Sequence, residues 1–245
     1  MEKGKTASGG IKKLSLSASI RKRQQEGWFP VISEIKVRSD KEGDLLGRRD
    51  PVELAREMVR CPVAGISVVT EPEHFGGSMG LLRSVAAAVG LPVLHKDFIT
   101  SERRIEESAA FGASAILLIA AMLGTEQLAR LIEAAKNCGL ETLVEAHTLT
   151  EVRRIEDLGF DLMGINNRDI TVYETDDDDV ARTEDLARFC GQGRPLISES
   201  SINTAEEVRR AGRSGADAVL IGTAVLKAEP MSELLGELVS VGWPP

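Results

Sequence analysis

The stretch AILLIAAMLGTEQLARLIEAAKNCGLETLVEAH, residues 115–147, contains the repeating unit that decides the fold. It begins with the apolar run AILLIA and ends with a second run, TLVEAH. Residues 125–138 between them have helical spacing, start at a predicted Thr125 cap and are followed by Gly139, a residue typical of helix ends. Apolar runs that do not alternate with polar residues are typical of strands covered on both faces. The unit therefore predicts a strand, a helix and a second, parallel strand.

The same unit recurs along the chain. Eight short apolar runs, each followed by a helix-like stretch, predict strands at residues 30–36, 65–70, 92–98, 115–120, 142–147, 162–167, 195–200 and 218–223. Eight repeats without a low-complexity linker predict an α/β protein with a single (β/α)8 TIM barrel, and 245 residues is about the size of that fold. A doubly wound open sheet is the structural alternative. It usually has fewer strands, and no GxGxxG follows the first run.

Capping signals mark two further helices. Residues 51–60 open with a proline after Asp50, which we expect to be the cap. Residues 203–211 begin with Asn203 or Thr204 as the cap, and two glutamates in the first turn suit the helix dipole.

We expect residues 1–27 to form a short N-terminal extension and residues 28–245 to form the barrel as the catalytic domain. The extension is basic and polar, and its segment SLSASIRKRQQEG is a candidate short helix. Residues 37–49 are expected to form a long, charged first loop. Residues 171–180 include four consecutive aspartates, which we interpret as a solvated loop or helix start, because they lack the spaced ligands of a calcium loop.

Composition narrows the classes of partner and compartment. A net charge of −8 disfavours nucleic-acid binding, which needs a surplus of lysine and arginine. The three cysteines, Cys61, Cys138 and Cys190, form no disulfide framework, and neither a signal peptide nor a membrane span is predicted. We expect a cytoplasmic protein that binds a small phosphorylated molecule, binds neither nucleic acid nor membrane, and is a monomer or a weak homo-oligomer.

Ionisable and polar residues follow many of the apolar runs. In barrels of this class the active site lies at the C-terminal ends of the strands. These ends carry Glu34, Lys36, Lys96, Asp97, Phe98, Glu145, His147, Asn166, Asn167, Arg168, Ser198, Glu199, Ser200, Ser201, Gly222 and Thr223. Because buried unpaired charge is costly, we interpret two lysines and up to three carboxylates as converging on a polar ligand.

The last two strand–helix units predict a phosphate site. ISESSIN and IGTAVL place small residues directly after strands seven and eight. Small residues allow backbone N–H groups to approach an anion, and these two loops are the common phosphate site of the fold.

The three histidines, His74, His95 and His147, are expected to be structural or pocket-lining rather than metal ligands. No HExxH motif and no cysteine pair accompanies them, so a zinc site is not expected.

Eight segments carry a resemblance to a known family. They are SEIK (33–36), SVVTEPEHFGGS (67–78), LPVLHKDF (91–98), ILLIAAML (116–123), LVEAH (143–147), GINNRD (164–169), ISES (197–200) and GTAVL (222–226). In order and spacing they resemble indole-3-glycerol phosphate synthase of tryptophan biosynthesis, from about residue 30 to 240. That family closes the indole ring of 1-(2-carboxyphenylamino)-1-deoxyribulose 5-phosphate and releases carbon dioxide and water.

The resemblance implies catalytic roles for five residues. Lys96 corresponds to the general acid, and Glu145 corresponds to the general base. Glu34 and Asn166 correspond to residues that hold sugar hydroxyls and assist proton transfer. Lys36 would contact an anionic part of the substrate.

The resemblance also implies a binding surface and no metal or organic cofactor. Phe75 and Phe98 would pack on the anthranilate ring, and Arg168 would compensate charge. Ser39, Glu199 and Ser200 would line the substrate site, and Ser201, Gly222 and Thr223 would hold the phosphate.

This sequence departs from the family pattern at three places. Asp40 follows Ser39 where the family usually has proline, which loosens the first loop. Ser201 replaces the glycine of SESG, so its Cβ is costly if the backbone there has a positive φ. The region before the first strand is short for a family in which an extra helix often helps to cover the substrate.

Two other functions are weighed against an active synthase. An isomerase of the same pathway is disfavoured, because Glu34 and Lys36 stand where such an enzyme is expected to have a cysteine. A barrel that binds a phosphorylated ligand without catalysis, or acts on an altered substrate, is the second alternative. Its support is Asp40 and Ser201.

Overall fold

The computed structural model describes residues 14–168 and 179–245. The interpretation of residues 171–178, which include most of the aspartate run, lies outside them. The barrel strands are β1 (Val31–Ile35), β2 (Gly65–Val69), β3 (Val93–Lys96), β4 (Ala115–Ile119), β5 (Glu141–Ala146), β6 (Leu162–Asn166), β7 (Leu196–Glu199) and β8 (Ala218–Ile221). All eight predicted strands are confirmed.

The eight strands close into one parallel barrel. Closure is made by β1, which pairs on one side with β2, Ile32 opposite Gly65, and on the other side with β8, Val31 opposite Val219. The predicted (β/α)8 class is therefore confirmed, and the open doubly wound sheet is wrong because β1 has no free edge.

Strand residues alternate between two cores. Side chains such as Leu94, Leu143 and Leu162 form one buried cluster inside the barrel. Val31, Ile66 and Val144 belong to a second, larger cluster between the strands and the helices. Both faces of each strand are thus buried, which explains why the runs are continuously apolar.

Ten α-helices occur in the described residues. They are α1 (Leu16–Gln25), α2 (Pro51–Met58), α3 (Met79–Ala88), α4 (Glu102–Ala110), α5 (Thr125–Asn137), α6 (Leu149–Ile155), α7 (Ala181–Leu186), α8 (Ala205–Arg213), α9 (Thr223–Lys227) and α10 (Met231–Val239). Short 3-10 helices occupy Ala120–Met122 and Ala187–Phe189.

The predicted caps are confirmed in two helices and wrong in a third. The Asp50 side chain accepts N–H groups at the start of α2, and Thr204 forms a capping box with Glu207 at the start of α8. In α5 the cap position is Gly124 without a side-chain bond, and Thr125 is the first helical residue. The stop at Gly139 is confirmed by its φ of 62°.

Helix α1 closes the end of the barrel at which the strands begin. Leu16 and Ile20 are fully buried and belong to the cluster inside the barrel. The Glu141 carboxylate, at the start of β5, accepts the Leu16 N–H, and Arg21 pairs with Asp217 just before β8 at 2.5 Å. The predicted short helix is confirmed, and it lies opposite the strand ends that carry the polar residues.

The first loop is more ordered than predicted. Two short antiparallel strands, Arg38–Ser39 and Gly43–Asp44, form a hairpin within residues 37–49. In the described parts of the chain, no helix combines the length and the apolar character needed to cross a membrane.

Candidate active site

A cavity of about 370 Å³ opens at the C-terminal ends of the strands. The predicted site residues that line it are Glu34, Lys36, Phe75, Lys96, Phe98, Glu145, Asn166, Arg168, Ser200, Ser201, Gly222 and Thr223. They come from six strand ends and from the loop after β2, so residues far apart in the sequence meet at one face of the barrel.

Lys96 lies at the centre of the charged groups. Its Nζ is 3.2 Å from Oε2 of Glu34 and 3.7 Å from Oε2 of Glu199. Nζ of Lys36 is 3.9 Å from Oε1 of Glu34, and the Ser67 hydroxyl donates to Oε2 of Glu34 at 3.4 Å. The Glu34 carboxylate therefore forms ion pairs with both lysines.

Burial and pairing act in opposite directions on these groups. Burial alone would raise the pKa of Glu34, but the charges of Lys96 and Lys36 outweigh it and hold the pKa below its usual value. Burial alone would lower the pKa of Lys96, but Glu34, Glu199 and Glu145 raise it well above normal. Lys96 is accordingly protonated and Glu34 ionised in the free protein.

Glu199 lies beneath the cavity rather than on its wall. It is fully buried, and neither of its oxygens has a hydrogen-bond partner among the described residues. Burial, followed by the charge of Glu145, raises its pKa well above normal despite the opposing effect of Lys96. Glycine at 164 makes room for it, because a Cβ there would overlap Oε1 of Glu199.

The two asparagines after β6 have different surroundings. Asn166 lines the cavity, and its Oδ1 accepts the N–H of Arg168 at 3.0 Å. Asn167 instead donates to Ser198 Oγ at 3.1 Å and accepts from Thr183. Asn167 is therefore a structural link between β6, β7 and α7.

The predicted phosphate end has an unusual backbone. Ser200 and Ser201 have φ values of 67° and 56°, a region that favours glycine. The expected cost of a Cβ at Ser201 therefore applies in this chain. Ser201 is 4% exposed, and its Oγ has no hydrogen-bond partner in the described parts of the chain.

Apolar side chains form another part of the cavity wall. Phe75 lies near Lys36, whose Nζ is 5.8 Å from the ring centroid. Phe98 and Met122 line the cavity although each is 44% exposed, which places two large apolar side chains at its mouth. Met122 was missed by the sequence analysis, as were Leu117, Ile119, Leu220 and Ile221.

Other polar residues near the cavity also differ from expectation. Ser39 does not line it, since its Oγ accepts the N–H of Glu42 within the hairpin. Its neighbour Asp40 does line the cavity and lies 3.2 Å from Nδ1 of His74. Gly222 lies against Glu34, where a Cβ would come within 2.7 Å of the carboxylate.

Two residues beside Lys96 anchor its strand end. His95 is fully buried and hydrogen-bonded to Thr70 and Ser108, each at 2.7 Å, which confirms a structural histidine. Asp97 lines the cavity and accepts from Arg104 at 2.6 Å. Burial would raise its pKa, but hydrogen bonds from His95, Thr70 and Arg104 hold the pKa far below normal.

Within residues 14–168 and 179–245, no three His, Cys, Asp or Glu side chains are grouped so that they could hold a metal ion. The described side chains bring together a protonated lysine, several glutamates, two serines with left-handed backbone and an apolar wall.

Comparisons with known proteins identify relatives. A family model described as indole-3-glycerol phosphate synthase matches residues 5–238. Proteins named indole-3-glycerol phosphate synthase include one from Pyrococcus furiosus, 46% identical over 224 residues that cover 91% of this chain and 96% of that protein. One from Thermococcus kodakarensis is 43% identical over 226 residues, which cover 92% and 97%. One from Haloarcula marismortui is 40% identical over 223 residues, which cover 90% and 80%.

A solved structure from Aquifex aeolicus VF5 has a TM-score of 0.68 at 14% identity and covers 93% of this chain and 98% of that chain. At this identity the likeness concerns the fold alone.

Proposed function

This chain belongs to the indole-3-glycerol phosphate synthase family, and we propose how its own residues carry out the reaction. The activity is that of a decarboxylating carbon–carbon lyase of tryptophan biosynthesis. The substrate, 1-(2-carboxyphenylamino)-1-deoxyribulose 5-phosphate, loses carbon dioxide and water and becomes indole-3-glycerol phosphate. The alternative of a non-catalytic or altered-substrate barrel is not favoured by relatives that match over nearly the whole chain.

Lys96 is the general acid of ring closure. As the ring carbon that bears the carboxylate attacks the ketone, charge develops on the ketone oxygen, and the Lys96 ammonium donates a proton to it. Glu34, 3.2 Å away, keeps that ammonium charged and oriented in the free site. Carbon dioxide then leaves, and the electron pair of the broken bond restores the aromatic ring.

Glu145 is the general base of dehydration. It removes a proton from the carbon between the nitrogen and the former ketone, while the new hydroxyl leaves as water with a proton that Lys36 or Lys96 supplies. Glu145 is 1% exposed and lines the cavity, so water competes poorly for its carboxylate. Asn166 and Glu34 hold the sugar hydroxyls.

The phosphate lies at the ends of β7 and β8. Backbone N–H groups near Ser201, Gly222 and Thr223 bind it, and Arg168 compensates its charge. The Ser201 hydroxyl, which has no partner among the described residues, adds a donor that a glycine at this position cannot provide. That donor offsets part of the cost of the αL backbone.

The anthranilate ring lies against the apolar wall. Phe75 and Phe98 pack on its faces, and Met122 closes the mouth beside Phe98. Lys36, next to the Phe75 ring, pairs with the substrate carboxylate until it leaves as carbon dioxide. Ser200 lines the same cavity, and Glu199 lies beneath it.

The observation that carries these assignments is the position of the Lys96 ammonium among the side chains of Glu34, Glu145 and Glu199 at the strand ends. The test is to incubate the purified protein with the substrate and to follow indole fluorescence as the ring closes. Turnover that disappears in Lys96→Ala is the expected result. No turnover by the folded wild-type protein with bound substrate would overturn the proposal.

The remaining proposals concern the protein as a whole. Residues 28–245 are proposed to form the catalytic barrel and residues 1–27 an extension to it. The protein is proposed to act in the cytoplasm as a monomer or weak homo-oligomer. The free thiols of Cys61, Cys138 and Cys190 suit a reducing compartment.

A further inference from the structure

His147 is a buried imidazole that the proposed reaction does not yet use. It follows β5, two residues beyond Glu145, and is 7% exposed without lining the cavity. Its Nε2 lies 3.3 Å from Oε1 of Glu145, and its Nδ1 lies 3.5 Å from Oε2 of Glu151. The ring therefore stands between the proposed general base and a second carboxylate.

The ring is not secured by other hydrogen bonds. Among the residues that the structure describes, neither ring nitrogen has an aligned hydrogen bond. A buried polar group without a partner is costly, so the two carboxylate contacts are the ones that can satisfy it. Contacts of catalytic groups in free enzymes are often long or misaligned and tighten when substrate binds.

Glu151 is held from outside the cavity. It lies in the first turn of α6, where its N–H donates to Oγ1 of Thr148 at 3.2 Å. Its Oε2 also accepts the backbone N–H of His147 at 2.8 Å. The start of α6 thus fixes Glu151, and Glu151 is placed to fix one side of the imidazole.

Glu145 needs such support. Its Oε2 has no hydrogen-bond partner among the described residues. The neighbouring Glu199 cannot hold it in place, because neither carboxyl oxygen of Glu199 is itself anchored by a hydrogen bond among those residues. A general base works only when one oxygen stays within hydrogen-bond reach of the proton that it removes.

We propose that His147 is a positioning residue, anchored by Glu151, that holds Oε1 of Glu145 and so orients this carboxylate toward the proton that it removes from the substrate. This inference rests on the proposed role of Glu145 as the general base. The same logic, in which a third group orients the base, recurs in many acid–base sites.

The test uses substitutions that retain one side of the imidazole. The amide nitrogen of Gln can take the place of Nε2 and donate to Glu145, whereas that of Asn can take the place of Nδ1. We expect His147→Gln to keep most of kcat. We expect His147→Asn and His147→Leu to lower kcat about 10- to 100-fold with KM little changed, the size typical of residues that orient a reacting group.

A double-mutant cycle separates positioning from packing. If His147 acts through Glu145, adding His147→Leu to Glu145→Gln leaves the residual kcat unchanged. Three results would each overturn the inference. They are effects of the two substitutions on kcat that multiply, a His147→Gln variant as slow as His147→Leu, and a rise in KM at constant kcat. If His147→Leu does not fold, the comparison of Gln with Asn decides in the same way. Absence of turnover in the wild-type protein would instead remove the proposed function, and this inference with it.

Discussion

Nζ of Lys96 lies 3.2 Å from Oε2 of Glu34, although the two residues lie near the ends of different strands and 62 positions apart in the sequence. Glu34 is buried and the Lys96 side chain is 18% exposed, and a largely buried pair stabilises only when its remaining groups are also satisfied. Here Lys96 has a second carboxylate, Glu199, and Glu34 has a second cation, Lys36. Such a cluster is arranged for a polar ligand rather than for stability alone.

Removing either proposed catalytic group should strongly lower turnover. We expect Lys96→Ala and Glu145→Gln each to lower kcat about 100- to 10,000-fold, the contribution typical of a positioned acid or base. Lys22→Ala, at an exposed site on α1 at the other end of the barrel, is the control and should retain full activity. Indole fluorescence measures turnover, and circular dichroism checks the fold. Unchanged turnover in both site variants would refute the assigned roles.

Glu199 should make the protein less stable as the pH rises. Its pKa is raised in the folded protein, so its contribution to stability is complete below the unfolded carboxyl pKa of about 4.3 and is lost as the pH rises through the folded value. Glu199→Gln resembles the protonated form and removes this loss. We expect the variant to gain free energy of unfolding over the wild type, and the gain to be larger at pH 8 than at pH 5. Urea unfolding at both pH values measures it, and an equal difference at both would contradict the assignment.

Substitutions of Ser201 should have different effects on the free energy of unfolding and on phosphate binding. Ser201→Gly removes an αL strain of about 1–2 kcal/mol, so we expect it to raise the free energy of unfolding. If its hydroxyl donates to the phosphate, both Ser201→Gly and Ser201→Ala lose a hydrogen bond worth about 1 kcal/mol, and KM rises about fivefold at similar kcat.

Ser33→Ala is the matched control for this pair. Ser33 also has a buried hydroxyl without a partner in the described residues, but it does not line the cavity. Its KM should therefore equal that of the wild type. A KM that is unchanged in Ser201→Ala would show that the hydroxyl has no part in binding.

The barrel and the charged part of the site were predictable for a common physical reason. Strands buried on both faces need apolar residues throughout, so a Lys or Glu at the end of such a run marks the place where the chain leaves the core. Lys96 and Glu145 stand at such places, and both line the cavity.

The missed features depend on packing that the local sequence does not contain. Met122 belongs to a 3-10 turn after β4, and nothing in its apolar neighbours distinguishes a cavity wall from the core. The cap of α5 was placed at Thr125 by propensity, but the chain enters that helix through Gly124. The position of His147 between Glu145 and Glu151 depends on where β5 and α6 meet in space.

Helix α1 should behave as part of the barrel core rather than as a detachable segment. Leu16 is fully buried inside the barrel, so we expect Leu16→Ala to cost about 2–5 kcal/mol of stability, as large-to-small core substitutions do. Leu14→Ala, two residues earlier at a side chain that is 43% exposed, is the control and should change stability by less than about 0.5 kcal/mol. Urea unfolding compares the two variants.

Because α1 lies opposite the cavity, kcat of the folded Leu16→Ala protein should equal that of the wild type. A lower kcat of the fully folded variant would mean that α1 influences the active site. An unchanged free energy of unfolding would mean that α1 packs on the barrel without closing its core.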